Sequence, residues 1–173
     1  MDFQNTEDKL TTDAVNLITN ILYRYQEVAM VNLKPLDKAL QIGFWLSNKA
    51  GNLNVADIKQ QLMENIEVFN LLDNRKPTII NINHQFIDDY IMLEVERDLD
   101  TLVQREITLV VLSLQQLVKN NIIIENTYDD QVDEEMHEDI IDTMLFRVKN
   151  LKDNPPLLAF REEGRVLVYN SKN

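Results

Sequence analysis

The chain has no cysteine, only three glycines and two histidines, and a single tryptophan among its 173 residues. Without cysteine there are no disulfides, no thiolate metal sites and no thiol nucleophile. Glycines at 43, 51 and 164 alone cannot build a Gly-rich phosphate-binding loop. No apolar run approaches the ~18–20 residues of a membrane-spanning helix. Positive charge is scarce as well: 17 Lys and Arg stand against 29 Asp and Glu, a formal net charge of −12. That balance repels nucleic-acid phosphate and favours a partner with a basic surface.

Apolar side chains are plentiful, at 45% of the residues, enough for a sizeable core. The length fits one domain, or two small ones sharing an interface. The opening MDFQNTEDKL is acidic and polar, unlike a signal peptide, so a cytoplasmic location is expected. Acid is concentrated in the second half: residues 1–86 carry a net −2 and residues 87–173 a net −10. Residues 125–142 hold nine acids and no Lys or Arg. Within them Asp129, Asp130, Asp133, Glu134, Glu135, Glu138 and Asp139 are the candidate partner-binding residues, a surface for a basic protein. The competing reading is a solvated loop and helix start, because exposed charge contributes little energy.

Apolar spacing organises the chain around a helix at 99–120. Ile107, Val110, Val111, Leu114, Leu117 and Val118 share one helical face, and Leu109 and Leu112 widen it, so several sides are expected to be covered. Nearer the start, Thr11 or Thr12 caps a helix running to about Met30. Its residues Val15, Ile18, Leu22 and Tyr25 form a nearly heptad seam, read as a self-association segment with packing on the chain's own core as the alternative. Pro35 then opens an apolar helix through Leu36, Ala39, Leu40, Ile42, Phe44, Trp45 and Leu46, with Gly43 easing helix packing and Gly51 as its stop. Asn54 caps a stretch to about Asn74 that is one helix or two. Residues 78–83, TIININ, alternate as a strand, and residues 91–95 do so less clearly, with a helix as the alternative. After a polar loop at 126–132, Asp133 caps a helix striped by Met136, Ile140, Ile141, Met144, Leu145, Val148 and Leu151 and stopped by Pro155 and Pro156. Residues 157–160 and 166–169 flank Gly164 as a hairpin.

The expected fold is mainly α with short β-hairpins (α+β), either as tandem winged-helix units or as a helical bundle with small β additions. It divides into an N-terminal helical segment at 1–34 and helix–hairpin units at 35–97 and 98–173, the second packed around the helix at 99–120. In element order this is similar to the kleisin-binding accessory subunits of condensin-like complexes, dimers with two winged-helix domains per chain. The resemblance implies an accessory subunit or regulator of a nucleic-acid-handling complex. Direct DNA binding is disfavoured, because one candidate recognition helix opens with Glu134, Glu135, Glu138 and Asp139 and the other carries Glu64, Glu67 and Asp73.

No catalytic constellation stands out. Glu134 and His137 have the Glu-x-x-His spacing of bundle metal sites, but Asn81 stands three residues before His84, so the required second copy is missing. Asp129, Asp130 and Asp133 resemble part of a calcium loop that lacks its glycine and terminal glutamate. Ser47, Ser113 and Ser171 have no motif around them. No metal, cofactor or catalytic residue is therefore expected. The reading is a non-enzymatic, acidic protein–protein interaction subunit or adaptor, present as a homodimer or as a fixed part of a larger assembly. The alternatives are the condensin-like accessory subunit and an acidic nucleic-acid mimic that occupies a nucleic-acid-binding protein.

Overall fold

The computed structural model describes residues 3–125, 140–150 and 154–171, with side chains from residue 12 onward. In chain order the elements are α1 (Phe3–Arg24), β1 (Met30–Lys34), β2 (Ala39–Ser47), α2 (Val55–Leu72), β3 (Ile80–Ile87), β4 (Tyr90–Asp98), α3 (Gln104–Val118), α4 (Ile140–Val148), β5 (Leu157–Glu162) and β6 (Arg165–Asn170). Three hairpins, β1–β2, β3–β4 and β5–β6, assemble into one antiparallel sheet. The pairings β2–β4 and β1–β5 join them in the order β3-β4-β2-β1-β5-β6.

Alternation of side chains across each strand decides which face is covered. On β2, Leu40, Ile42, Phe44 and Leu46 are all buried, and β4 sets Ile91, Leu93 and Val95 beside them. Val31 and Leu33 of β1 and Leu157 and Ala159 of β5 continue the same face. These side chains form a single core with Leu17, Ile18 and Ile21 of α1, Leu62 and Ile66 of α2, Val110 and Leu114 of α3, and Ile141 and Leu145 of α4. Among the described residues, four helices therefore cover one face of the sheet.

This overturns the mainly-α expectation, and with it both the tandem winged helices and the helical bundle. Strand makes up 31% of the chain beside 41% helix, and the six strands share one sheet. The hairpins are outer pairs of that sheet, flanking β1–β2, and are not wings of separate helical units. The misreading begins at Pro35, which opens a turn in place of a helix: Lys38 donates its N–H to the Pro35 carbonyl (3.1 Å) with φ at 51°. Residues 39–47 are a central strand with apolar side chains on both faces, which erases the period-two signal and imitates a buried helix.

The first helix also departs from expectation: α1 begins at Phe3, before Thr11 and Thr12, and ends at Arg24, with Met30 opening β1. At other positions local chemistry and structure agree. Asn54 caps α2, its side chain accepting from the Asp57 amide at 3.2 Å, and 55–72 is one unbroken helix. Residues 90–98 are a strand. Residues Glu163 and Gly164 turn β5 into β6 with φ of 52° and 77°, the two positive values of a type I′ hairpin turn.

Candidate functional site

Among the described residues, nothing covers the second face of the sheet, and it has two unlike halves. One half is a polar ladder running across strands. Asn32 bonds Gln41 at 3.4 Å, and Gln41 bonds Glu94 at 2.7 Å. Lys34 reaches Glu96 at 2.6 Å, and Asn81 donates to the same carboxylate at 3.1 Å. The hydrogen bond from Lys34 holds the Glu96 carboxyl below its ordinary pKa, with Asn81 adding to this and partial burial opposing it.

The other half is apolar. Trp45 meets Tyr90 edge-on, with ring centroids 6.4 Å apart, and Phe160 stacks on Tyr169 at 5.3 Å. Between these aromatic pairs lie Met30 and Met92, whose side chains meet above Gly43. A Cβ on Gly43 would stand 3.0 Å from both Met30 Cε and Met92 Sδ. Gly43 was expected to ease helix packing; it sits instead in β2, where its missing side chain admits the two methionines.

This apolar half contains a cleft of about 210 Å3. The cleft exists because β1 begins only at Met30, leaving the upper end of β2 without that neighbour. Residues 122–125 take its place, with the Ile123 N–H donating to the Trp45 carbonyl at 2.9 Å. Met30, Trp45, Met92, Ile123, Leu158 and Phe160 give the cleft an apolar lining, and Gln26, Glu125 and Arg161 supply its polar groups. Arg161 is buried, and its guanidinium donates to the carbonyls of Tyr25 (2.9 Å), Gln26 (3.2 Å) and Val28 just past the end of α1. A cation there suits the negative end of the helix dipole. Burial lowers the Arg161 pKa, against the pull of Glu125 and Glu27. The cleft is smaller than the roughly 300–1,000 Å3 of small-molecule pockets, and suits one large apolar side chain.

A second cluster lies inside the core. The guanidinium of Arg97 forks onto Glu106, Nε to Oε2 at 2.6 Å and Nη2 to Oε1 at 2.8 Å. It also donates to Asp98, Thr101 Oγ1 (2.9 Å) and the Ile79 carbonyl (3.0 Å), while Asn70 donates to Glu106 at 2.7 Å. Burial works to raise the Asp98 pKa, but the Thr101 hydroxyl, the Ile79 amide and Arg97 outweigh it and hold the carboxyl below its ordinary value. Exposure of Arg97, Asp98 and Glu106 is 2%, 2% and 0%, so no substrate reaches them. Their partners come from α2, β4 and α3, which makes the cluster a junction of three elements.

The residues singled out in the sequence fall in two places. Asp129, Asp130, Asp133, Glu134, Glu135, Glu138, Asp139 and His137 lie outside the described residues. The seam of Val15, Ile18, Leu22 and Tyr25 lies against the chain's own core. Ile18 and Leu22 have no exposed surface, and Tyr25 bonds the Thr108 hydroxyl of α3 at 2.7 Å. A second helix reaching that seam would have to displace elements already packed on it. Spacing along the sequence gave no sign of the Arg97–Glu106 pair, which forms where α3 packs on β4, or of the cleft, which depends on how β1, β2 and β5 are paired. Alternation in 90–98 was the usable signal: it put Met92, Glu94 and Glu96 on the face opposite the core.

Among the described residues, the fold and this surface define a two-layer α+β arrangement, four helices on one side of an antiparallel sheet whose other side carries an apolar cleft beside a polar ladder. Comparison with protein-family models, with curated proteins and with solved structures finds no match. No helix among the described residues is long and apolar enough to cross a membrane.

Proposed function

We propose that the protein acts by binding another protein, as a non-enzymatic subunit or adaptor, and that the apolar half of the uncovered sheet face is where it does so. The observation that carries this reading is the cleft bounded by Met30, Trp45, Met92 and Phe160 on an otherwise regular sheet. Contiguous apolar surface of this kind costs solubility and marks contact sites. Methionines lining the floor adapt to the shape of an entering side chain, and aromatic walls provide much of the energy of a protein contact. Charge sets the chemistry of the partner. The chain carries −12, and Glu125 places a carboxylate at the cleft, so the fitting partner presents a large apolar side chain flanked by basic residues. The acidic run at 125–142 continues in sequence from that point and extends the same preference.

The test compares proteins captured from the host by the wild-type chain and by Phe160→Lys. Phe160 is half-buried, so the variant keeps its fold, checked by its melting temperature. A partner held by the wild type and lost with the variant supports the reading when its addition also shifts the emission of Trp45, the chain's one tryptophan. Equal capture by both proteins, or binding that leaves Trp45 emission unmoved, refutes it.

A further inference from the structure

The outer strand β3 presents a second surface, at the opposite end of the strand order from β5 and β6. No described residue pairs with its far side, and its register on β4 fixes which groups point there. The Asp98 N–H donates to the Ile79 carbonyl at 3.4 Å, which makes 79–98 a hydrogen-bonded pair. Odd-numbered residues of the strand therefore bond β4, and the N–H and C=O of Ile80, Ile82, His84 and Phe86 face outward. Such an edge is a template for another strand, and proteins usually blunt it with charge or proline. The segment Ile80–Ile87, ININHQFI, contains no Lys, Arg, Asp, Glu or Pro, and Phe86 is 61% exposed.

We propose that β3 pairs antiparallel with β3 of a second copy of this chain, about a twofold axis through Asn83, so that two six-stranded sheets become one of twelve strands. Charge at the strand's ends selects this occupant. The chain enters β3 from Arg75 and Lys76 and leaves it through Asp88 and Asp89, with no Lys, Arg, Asp or Glu between. An antiparallel twofold sets the acidic end of each copy beside the basic start of the other, and a parallel pairing would set like charges together. In the Asn83 register Ile80 lies opposite the partner's Phe86, an aromatic–β-branched cross-strand pair, and this contact occurs twice. The Asp88–Asp89 turn of each copy then lies at the same end of the pairing as the partner's Arg75 and Lys76. Molecules that would otherwise repel through their net charge thus meet along a neutral strand bracketed by complementary charge. One strand pair buries less than the roughly 1,600 Å2 of a standard interface, so the dimer dissociates on dilution. It leaves the cleft open and does not depend on the docking reading.

Sedimentation of the full chain across a concentration series tests this. The mass should rise from 20.3 kDa towards twice that value. Lys76→Glu and Asp89→Lys, both at exposed positions, should each weaken the dimer roughly tenfold or more by opposing like charges. An equal mixture of these two variants should dimerise again, because each end of the pairing then brings opposite signs together. That recovery separates a charge effect from damage to the fold. Phe86→Lys should weaken the dimer without such recovery. A chain monomeric at every concentration, single variants that dimerise as tightly as the wild type, or a mixture that stays monomeric would each overturn the proposal.

Discussion

Replacing Arg97 by methionine keeps most of the side-chain volume and removes the charge that joins β4 to α2 and α3. Glu106, with no exposed surface, then loses both arms of its fork, and Asp98 loses its arginine, while both carboxylates stay buried. Asn70, Thr101 and the backbone amides of Thr78 and Ile79 remain as donors, so the loss is partial. Breaking a buried pair from one side costs about 3–5 kcal/mol, because the surviving charge is left unpaired. Set against a typical total of about 5–15 kcal/mol, that is a large share of the stability. At this chain length each kcal/mol moves the melting temperature by roughly 2–4 °C, so the variant should melt about 6–20 °C lower.

Urea unfolding measures this directly, followed by far-ultraviolet circular dichroism and by the fluorescence of Trp45. That tryptophan lies on the opposite face of the sheet, so the substitution leaves the probe's surroundings alone. Arg97→Met should lower the midpoint with little change in slope. The double variant with Glu106→Leu removes both members of the fork and should recover part of the loss, since an apolar pair of similar volume replaces a buried ion pair at little net cost. Asp98 and Asn70 keep that recovery incomplete. A single variant costing less than about 1 kcal/mol, or a double variant no better than the sum of the singles, would refute the assignment of Arg97 as a structural junction.

Gly43→Ala should cost at most about 1–3 kcal/mol, because the atoms its Cβ meets at 3.0 Å are the mobile ends of Met30 and Met92; a crystal structure should show both displaced and the cleft reshaped. Glu96 and Asp98 both have carboxyl pKa values below the ordinary range, so their contribution is fully present at neutral pH. It is lost as pH falls below the unfolded value near about 4 and through the folded values. Thermal melts from neutral to acid pH should show that loss, and Glu96→Gln should flatten part of it. Reversing Glu134, Glu135 and Glu138 to lysine should weaken capture of a basic partner while leaving the melting temperature near its wild-type value; unchanged capture would remove the acidic run from the binding surface.

Local chemistry was legible wherever one element decides its own form. The stripe of α3, the Asn54 cap, the Glu163–Gly164 turn and the alternation of β4 all depend on neighbours within a few residues. Failure came where tertiary placement sets the pattern. Ala39, Leu40, Ile42, Phe44, Trp45 and Leu46 are apolar without a clear period because β2 is central, with the core on one side and the cleft on the other. From the sequence, Trp45 and Met30 were indistinguishable from core residues. The parity of the β1–β2–β4 register turns them, with Met92, to the face opposite the helices. Leu112, counted in the central helical stripe, is 54% exposed, so α3 is covered on fewer sides than its width suggests.

The β3 edge was nearly readable. The run TIININ alternates as a strand, while HQFIDD after it has no glycine to mark a two-residue turn. Asp88 makes that turn feasible: it holds φ at 53°, a left-handed value that aspartate tolerates better than a β-branched residue does. With the link shortened to Asp88 and Asp89, the strand extends through Phe86 and Ile87, and its uncharged length becomes visible between two basic and two acidic residues. A net charge of −12 sets two copies of this chain repelling each other at long range. Where charge sits along an edge argues the opposite for that edge, because self-repulsion acts through the net field while pairing acts through contacts a few ångströms long. Salt separates these effects. Screening at about 0.15 M reduces repulsion beyond roughly 8 Å and weakens the exposed contacts at the strand ends more gently, so dimerisation should first strengthen as salt rises from low values, then decline. A steady fall from the lowest salt upward would mean that the end contacts outweigh the net repulsion, and a steady rise would mean that they contribute nothing.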